Sequence, residues 1–60
     1  MKKMIWLNQD GEPVLVNPDK IETVHKDQNG SYIYFSRGGG ALEVDEDQEL
    51  VDCKFRDAYR

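Results

Sequence analysis

Acidic residues crowd into the stretch 43–52 and are the first candidates for chemistry. The six carboxylates belong to Glu43, Asp45, Glu46, Asp47, Glu49 and Asp52. Carboxylate oxygens are ligands that calcium prefers, but a calcium loop also needs a glycine for its sharp turn and a distal bidentate glutamate. The stretch has neither that glycine nor that spacing. We therefore predict no metal site and interpret the carboxylates as the solvated start of a helix, where the helix dipole favours negative charge.

Nucleophilic and phosphate-binding chemistry has little support in the sequence. His25 and Cys53 are single residues of their kinds, and nothing in the sequence places them together as a nucleophile–base pair. They are also too few for the usual four nitrogen and sulfur ligands of a zinc site. The run 37–40, Arg-Gly-Gly-Gly, lacks the Lys-Ser/Thr end and the following helix of a P-loop, and we interpret it as a hairpin turn. The sequence predicts no catalytic residue, no cofactor and no enzyme.

Aromatic residues are the better candidates for a functional surface. Tyr32 and Tyr34 alternate with Ile33 and Phe35 in the run 31–36, which predicts a central strand with the tyrosines on one face and the apolar pair on the other. The tyrosines, which Trp6 could join, would either pack under the helix or contact a protein. Stacking on nucleic-acid bases is disfavoured because no basic residues are interleaved.

Two further aromatic residues complete the predicted set of partner contacts. Trp6 is interpreted either as a core residue or as a partner-facing anchor, because tryptophan is enriched at interface hot spots. Tyr59 lies near the end of the chain. The residues predicted to contact a protein partner are Trp6, Tyr32, Tyr34 and Tyr59.

Composition limits the classes of protein to which the chain can belong. Its 60 residues, 38% hydrophobic and 33% charged, predict one folded domain over 1–60 with a small core. The net charge of −4 argues against binding to a nucleic-acid backbone, which requires clustered lysine and arginine. One cysteine cannot form an internal disulfide, so a reducing, cytoplasmic compartment is expected. No segment approaches the roughly 20 apolar residues of a membrane span, and we expect no membrane insertion.

Turn signals divide the first three quarters of the chain into short strands. We predict strands over 3–8, 13–16, 23–26, 31–36 and 41–44, with turns at Asp10-Gly11, at Asn29-Gly30 and in the triple glycine. The segment 17–20 interrupts the pattern, and Asp19 is expected to cap a single helical turn there. Ile21 and Val24 are three residues apart, which fits either a helical turn or a bulge.

Helical spacing replaces alternation after position 45. Asp45 is predicted as the N-cap, with Gln48 as its partner in a capping box. An apolar stripe follows at Leu50, Val51, Phe55, Ala58 and Tyr59, with Cys53 on the opposite, exposed side. The predicted fold is α+β and β-rich, with a small antiparallel sheet of four to five short strands and one C-terminal helix packed on it. An uncovered sheet edge or face would allow a homodimer.

The order of these features resembles the flagellar FlbD-like family of small proteins, also known as SwrD-like swarming motility proteins. The matching stretches are Met4-Ile5-Trp6-Leu7-Asn8, the run 14–24 (VLVNPDKIETV), Tyr32-Ile33-Tyr34-Phe35 with Gly38, and Val44-Asp45-Glu46. Asp10-Gly11 stands where the family has Asn-Gly, and Gln28-Asn29-Gly30 stands where it often has Pro-Asp-Thr. The resemblance implies support of flagellar motor function through protein contacts, without catalytic residues. The alternative is a small phage or mobile-element protein that binds and inhibits a host protein.

Overall fold

Between residues 3 and 60, which are those that the computed structural model describes, five short strands precede one helix. The elements are β1 Ile5–Gln9, β2 Glu12–Val16, a 3₁₀-helix Pro18–Lys20, β3 Ile21–Asp27, β4 Gly30–Phe35, β5 Ala41–Val44 and α1 Gln48–Asp57. Strands β1 and β2 form an antiparallel pair, and a second antiparallel sheet has the order β3-β4-β5. The predicted β-rich α+β fold is confirmed, with its strands divided between two sheets.

The first hairpin has the turn that its sequence predicts. Gln9 pairs with Glu12, so Asp10 and Gly11 are the two turn residues. Their φ angles are 50° and 80°, and a type I′ turn needs a positive φ at both positions. Pro13 lies in β2, an outer strand, where a missing backbone N–H costs the sheet nothing.

The second hairpin turns one residue earlier than predicted. Asp27 already pairs with Gly30, which leaves Gln28 and Asn29 as the turn. Gly30 has a φ of 151°, and a Cβ on it would lie 2.0 Å from the Val44 carbonyl oxygen. The glycine is therefore required by the close approach of β5, in addition to its backbone angle.

An irregularity interrupts β3 near its start. The pairing register between β3 and β4 shifts between Ile21 and Thr23. Of the two interpretations of the spacing between Ile21 and Val24, the bulge is therefore correct. The preceding 3₁₀-helix is capped by Asn17, whose Oδ1 accepts a hydrogen bond from Asp19 N. The predicted capping role of Asp19 was wrong, because the cap lies two residues earlier.

Both sheets and the helix contribute to one hydrophobic core. Within residues 3–60, its buried members are Ile5, Leu7, Val16, Ile33, Val44, Val51 and Ala58. Partly buried Val14, Ile21, Val24, Phe35 and Leu42 pack around them. Alternation along β4 and β5 thus places Ile33 and Val44 inside, as predicted.

Helix α1 begins two residues later than predicted from an N-cap at Asp45. The N-cap is Asp47, whose carboxylate accepts a hydrogen bond from Leu50 N at 2.8 Å. Asp45 cannot serve as the cap because its carboxylate already accepts hydrogen bonds from the turn of the first hairpin. Gln48 does not complete a capping box, since its side chain donates to the Val24 carbonyl oxygen.

The helix buries a narrower stripe than its periodicity predicts. Val51 and Ala58 are buried, whereas Leu50 and Tyr59 are exposed. The ten-residue helix lies against β1, β3 and β4. These short strands bury only a narrow strip of the helix surface. Cys53 is exposed, as predicted. In residues 3–60, no helix has the length and apolar character needed to cross a membrane.

Candidate functional site

The outer face of the three-stranded sheet is the candidate site, and we call it the tyrosine face. Its side chains are Thr23, His25 and Asp27 on β3, Tyr32 and Tyr34 on β4, and Ala41 and Glu43 on β5. They alternate with residues on the opposite side of the sheet, because successive side chains of a strand point to opposite sides. The face is therefore a direct consequence of the alternation in the central strand.

Tyr32 and Tyr34 form the aromatic centre of the tyrosine face. They are 38% and 46% exposed, while Ile33 between them is completely buried. The predicted separation of tyrosines from core residues is confirmed. The interpretation that the helix packs over the tyrosines was wrong, because α1 places Val51 in the core beside Ile33, on the opposite side of the sheet.

Histidine and threonine side chains of β3 hold one of the two rings in place. The His25 ring meets the Tyr34 ring edge to face, with centroids 5.1 Å apart and an interplanar angle of 87°. His25 Nε2 lies 3.1 Å from Thr23 Oγ1, and Thr23 pairs with Tyr34 across the strands. These contacts restrict the rotamers of Tyr34, which lowers the entropy cost of using it in binding.

Two carboxylates meet at one end of the tyrosine face. Asp27 pairs with Gly30, which has no side chain, and the Asp27 carboxyl is a hydrogen-bond partner of the protonated Glu43 carboxyl. This bond raises the pKa of Glu43 above its ordinary value, helped by reduced hydration and by the charge of Asp27. The charges of Asp10 and Asp45 raise that pKa further. This end of the face is therefore strongly electronegative.

The negative charges at this end of the tyrosine face also act on Tyr32. Tyr32 pairs with Glu43 across the strands, and the charge of Glu43, followed by that of Asp27, raises the pKa of the Tyr32 hydroxyl. A negative charge on this hydroxyl would add to those already present, so the neutral phenol is favoured. The ring of Tyr32 thus remains an uncharged surface beside two acids.

Trp6 lies away from the tyrosine face, on β1 of the other sheet. It is 58% exposed, so the interpretation of Trp6 as a core residue was wrong. Its cross-strand neighbour is Leu15, which is also exposed. Side chains of β1 alternate, and the inward positions belong to Ile5 and Leu7, which leaves Trp6 outside. The pair Trp6–Leu15 is a second exposed apolar surface.

Tyr59 links the end of the helix to the 3₁₀ segment. Its hydroxyl donates to Asp19 Oδ1, and its ring lies 5.2 Å from that of Phe55 at 55°. The hydrogen bond to Asp19 is the largest cause of the raised pKa of Tyr59. The structure therefore does not bring Tyr59 together with Tyr32 and Tyr34, and the contacts of Tyr59 join two elements of the fold.

Three of the acidic residues at the helix start have structural roles, and the sequence predicted such a role only for Asp45, as the N-cap. Asp47 caps the helix, and Asp45 accepts hydrogen bonds from Asp10 N at 3.2 Å and Gly11 N at 2.8 Å. Glu46 is 7% exposed, and its carboxylate is bonded to Asn8 of β1. The interpretation of this stretch as a solvated helix start was wrong for Glu46. Among residues 3–60, no group of three or more His, Cys, Asp or Glu side chains is arranged to hold a metal ion.

Aromatic rings beside carboxylates favour positively charged ligands. A lysine or arginine head is attracted to the face of an aromatic ring and to a carboxylate, and the two attractions act together when both groups are adjacent. Tyr32 with Asp27 and Glu43 has this arrangement. No family model, curated protein or solved structure matches the chain.

Proposed function

We propose that this chain is a non-enzymatic module that binds a protein partner through the tyrosine face. The observation that carries the proposal is the pair of exposed rings, Tyr32 and Tyr34, flanked by the carboxylates of Asp27 and Glu43. Exposed tyrosines held in place by neighbours are typical of protein-binding surfaces, because they supply large contact areas at a low entropy cost.

The partner segment carries lysine or arginine side chains. The carboxyls of Asp27 and Glu43 are close enough to share a hydrogen bond, and further negative charge from Asp10 and Asp45 reaches Glu43. A cationic side chain placed between the carboxyls of Asp27 and Glu43 would offset the repulsion between their negative charges. It would also contact the ring of Tyr32. Charge complementarity of this kind increases both the rate and the specificity of association.

Nucleic acid is a poorer match to the same surface. Stacking platforms for single strands combine aromatic rings with a positively charged groove that follows the phosphates. The tyrosine face instead places Asp27 and Glu43 beside its rings, and the whole chain has a net charge of −4. Phosphates would be repelled where the rings are most accessible.

Nuclear magnetic resonance tests this proposal directly. The ¹⁵N-labelled protein is titrated with an oligo-arginine peptide and, separately, with an oligo-glutamate peptide of the same length. We expect shifts of the Asp27, Tyr32, Tyr34 and Glu43 amides with the basic peptide and none with the acidic one. Changes spread evenly over the acidic stretch 45–52, or no changes at all, would count against the tyrosine face.

Matched variants separate binding from folding. Tyr32→Ser with Tyr34→Ser should abolish the shifts without changing the circular dichroism spectrum, because both rings are exposed. Trp6→Ser is the matched control, since it removes an exposed ring from the other sheet. If Trp6→Ser weakens binding as much as the double tyrosine variant, the binding surface lies elsewhere.

The biological setting that we propose is the bacterial flagellum, as in FlbD-like proteins. Its support is the order of sequence features, from Met4-Ile5-Trp6-Leu7-Asn8 to Val44-Asp45-Glu46, together with a surface suited to protein contacts. The module would act in the cytoplasm, in keeping with its single cysteine. Capture from cell lysate by the wild-type chain, but not by the double tyrosine variant, should then recover a flagellar motor protein.

The second candidate function is inhibition of a host protein by a phage or mobile-element product. The compact acidic character of the chain, with 12 acidic against 8 basic residues, suits a binder of basic surfaces equally well. The captured partner distinguishes the two settings, because an inhibitor would recover a host enzyme or regulator. A gene neighbourhood of motor genes supports the first setting, and a prophage neighbourhood supports the second.

A further inference from the structure

A second exposed surface lies on the outer side of the two-stranded sheet, and we call it the tryptophan face. Trp6 and Leu15 are cross-strand neighbours and are 58% and 46% exposed. Side chains two positions apart on a strand lie on the same side of the sheet, so the exposed Pro13 shares the side of Leu15. Met4, two residues before Trp6, is 43% exposed. The tryptophan face is therefore an apolar surface made by Met4, Trp6, Pro13 and Leu15.

Lysine side chains lie directly beside this apolar surface. Lys54 Nζ of α1 donates to the Trp6 carbonyl oxygen at 2.8 Å, which places the ammonium group next to β1. An ammonium has three N–H donors, so two of them remain for another acceptor. The exposed Lys3 lines an open cleft of about 210 Å³ together with Trp6 and Lys54. Its backbone N–H donates to the Ala58 carbonyl oxygen at 2.8 Å, which joins this part of the chain to the end of α1.

The second half of α1 extends the positive charge. Among residues 3–60, a neighbouring cleft is lined by the basic side chains of Lys54, Arg56 and Arg60 and by one carboxylate, that of Asp57. Arg56 and Arg60 form ion pairs with acidic residues of the helix, but both pairs are exposed to water and are therefore weak. With Lys3, four of the eight basic residues of the chain lie around the tryptophan face.

Acidic groups lie at the other end of the first hairpin. Asp10 is in its turn, and Glu12 follows the turn. Asp10 is four positions beyond Trp6, which in a strand corresponds to roughly 13 Å. A chain with a net charge of −4 thus concentrates positive charge where its tryptophan is exposed. The uneven distribution of charge points to an anionic ligand on this side of the molecule.

We propose that the tryptophan face docks on the surface of a lipid bilayer that contains anionic phospholipid. The tryptophan ring is amphipathic and is favoured at the level of the lipid headgroups. Lys3, Lys54 and the two arginines would be attracted to the negative surface and would donate to lipid phosphates. Met4 and Leu15 would reach the boundary between headgroups and acyl chains. The chain lies on the bilayer in this arrangement and does not cross it.

A second copy of the chain is a poorer match to this surface. A two-fold interface brings the same surface of both subunits together, so Lys3 and Lys54 of one copy would approach those of the other. Their like charges would repel each other. The inference does not depend on the tyrosine face, which lies on the other sheet and attracts positive charge.

Fluorescence of the unaltered chain tests the proposal. Trp6 is the only tryptophan, so the tryptophan emission reports on this surface alone. We expect a blue shift when vesicles of phosphatidylcholine with phosphatidylglycerol are added, and none with phosphatidylcholine alone. Sodium chloride should reverse the shift, because salt screens the attraction between exposed charges. No shift with the anionic vesicles, or the same shift with both kinds of vesicle, overturns the proposal.

Two pairs of matched variants test the residues, with vesicle co-sedimentation as the measurement. Leu15→Ser should weaken binding to the anionic vesicles by about tenfold. Leu50→Ser should not, although Leu50 is 45% exposed, because it lies on α1 outside the tryptophan face. Lys54→Gln should weaken binding by about fivefold, whereas Lys26→Gln on β3 should have no effect.

Circular dichroism confirms that the variants are folded before binding is compared. Equal effects of Leu15→Ser and Leu50→Ser, or of Lys54→Gln and Lys26→Gln, overturn the proposal, since the tryptophan face would then have no special part in binding.

Depth and the nature of the ligand are tested on the unaltered chain. Phosphatidylcholine brominated on its acyl chains and mixed with phosphatidylglycerol should quench the Trp6 emission, because the ring lies at the boundary of the acyl chains. An oligo-glutamate peptide and a single-stranded oligonucleotide, each added without vesicles, should leave the emission unchanged. A blue shift with either of them would indicate a soluble anionic partner and would overturn the proposal. So would a shift that depends only on protein concentration, which would indicate a second copy.

Discussion

Glu46 and Asn8, which are 38 positions apart, join the C-terminal third of the chain to its first strand. Glu46 Oε1 accepts from Asn8 N at 2.9 Å, and Oε2 accepts from Asn8 Nδ2 at 2.7 Å. The backbone carbonyl of Glu46 also accepts from the buried Ser31 hydroxyl at 2.8 Å. A nearly buried carboxylate is stable only when its oxygens are hydrogen-bonded, and here Asn8 supplies both donors.

Glu46→Gln should lower the free energy of unfolding by about 1–3 kcal/mol. The amide group places a donor where an Asn8 donor already points, so one hydrogen bond is lost in a poorly hydrated site. Urea denaturation measures the change. Glu12→Gln, on an exposed position of β2, is the matched control and should stay within about 0.5 kcal/mol of the wild type. Equal effects of the two variants would mean that the Asn8–Glu46 contact contributes nothing.

Asp47→Ala should destabilise the protein by about 0.5–2 kcal/mol, because it removes the side-chain acceptor at the start of α1. Helix content measured by circular dichroism should fall at lower urea concentration than in the wild type. Asp52→Ala, which removes an exposed ion pair with Arg56, should change stability by less than about 1 kcal/mol. A larger loss from Asp52→Ala than from Asp47→Ala would contradict the assignment of the cap.

Gly30→Ala should destabilise the protein by about 3 kcal/mol or more. The added Cβ would meet the Val44 carbonyl oxygen at 2.0 Å, and a backbone atom of β5 cannot move aside cheaply. Gly38→Ala is the control, because that glycine also has a positive φ, of 72°, but has no atom within 4 Å of the added Cβ. Its cost should be about 1–2 kcal/mol, from backbone strain alone. Thermal unfolding of the two variants tests the difference.

Glu43→Gln should make stability less dependent on pH. The pKa of Glu43 is raised in the folded state, first by its hydrogen bond with the Asp27 carboxyl. Its protonated form therefore stabilises the fold below the ordinary pKa of glutamate, and this contribution is lost as pH rises through the raised pKa. We expect Glu43→Gln to be more stable than the wild type at neutral pH, and the two to converge in acid.

Asp27→Asn tests the cause of that pH dependence. It removes the partner that contributes most to the shift, so it should flatten the same part of the stability profile. Combining it with Glu43→Gln should give less than the sum of the two single effects, because they share one interaction. Fully additive effects would show that Asp27 does not act on Glu43.

Local pattern alone determined the elements that surround the tyrosine face. The alternation of Tyr32 and Tyr34 with Ile33 fixed which side chains of the central strand face outward, because the period of a strand is two. The last strand was predicted at its observed bounds, Ala41–Val44. The Asp10-Gly11 turn was also predictable from the sequence, because few residue pairs tolerate a positive φ at both turn positions.

Tertiary structure alone decided which acids have structural roles and which surface residues lie together. Asp45, Glu46 and Asp47 are consecutive acidic residues, yet each accepts hydrogen bonds from a different part of the chain. The contact between Asp27 and Glu43 joins the two outer strands of the three-stranded sheet. Backbone angles and alternation are set by neighbouring residues, whereas hydrogen-bond partners dozens of positions apart are set only when the strands have packed around the core.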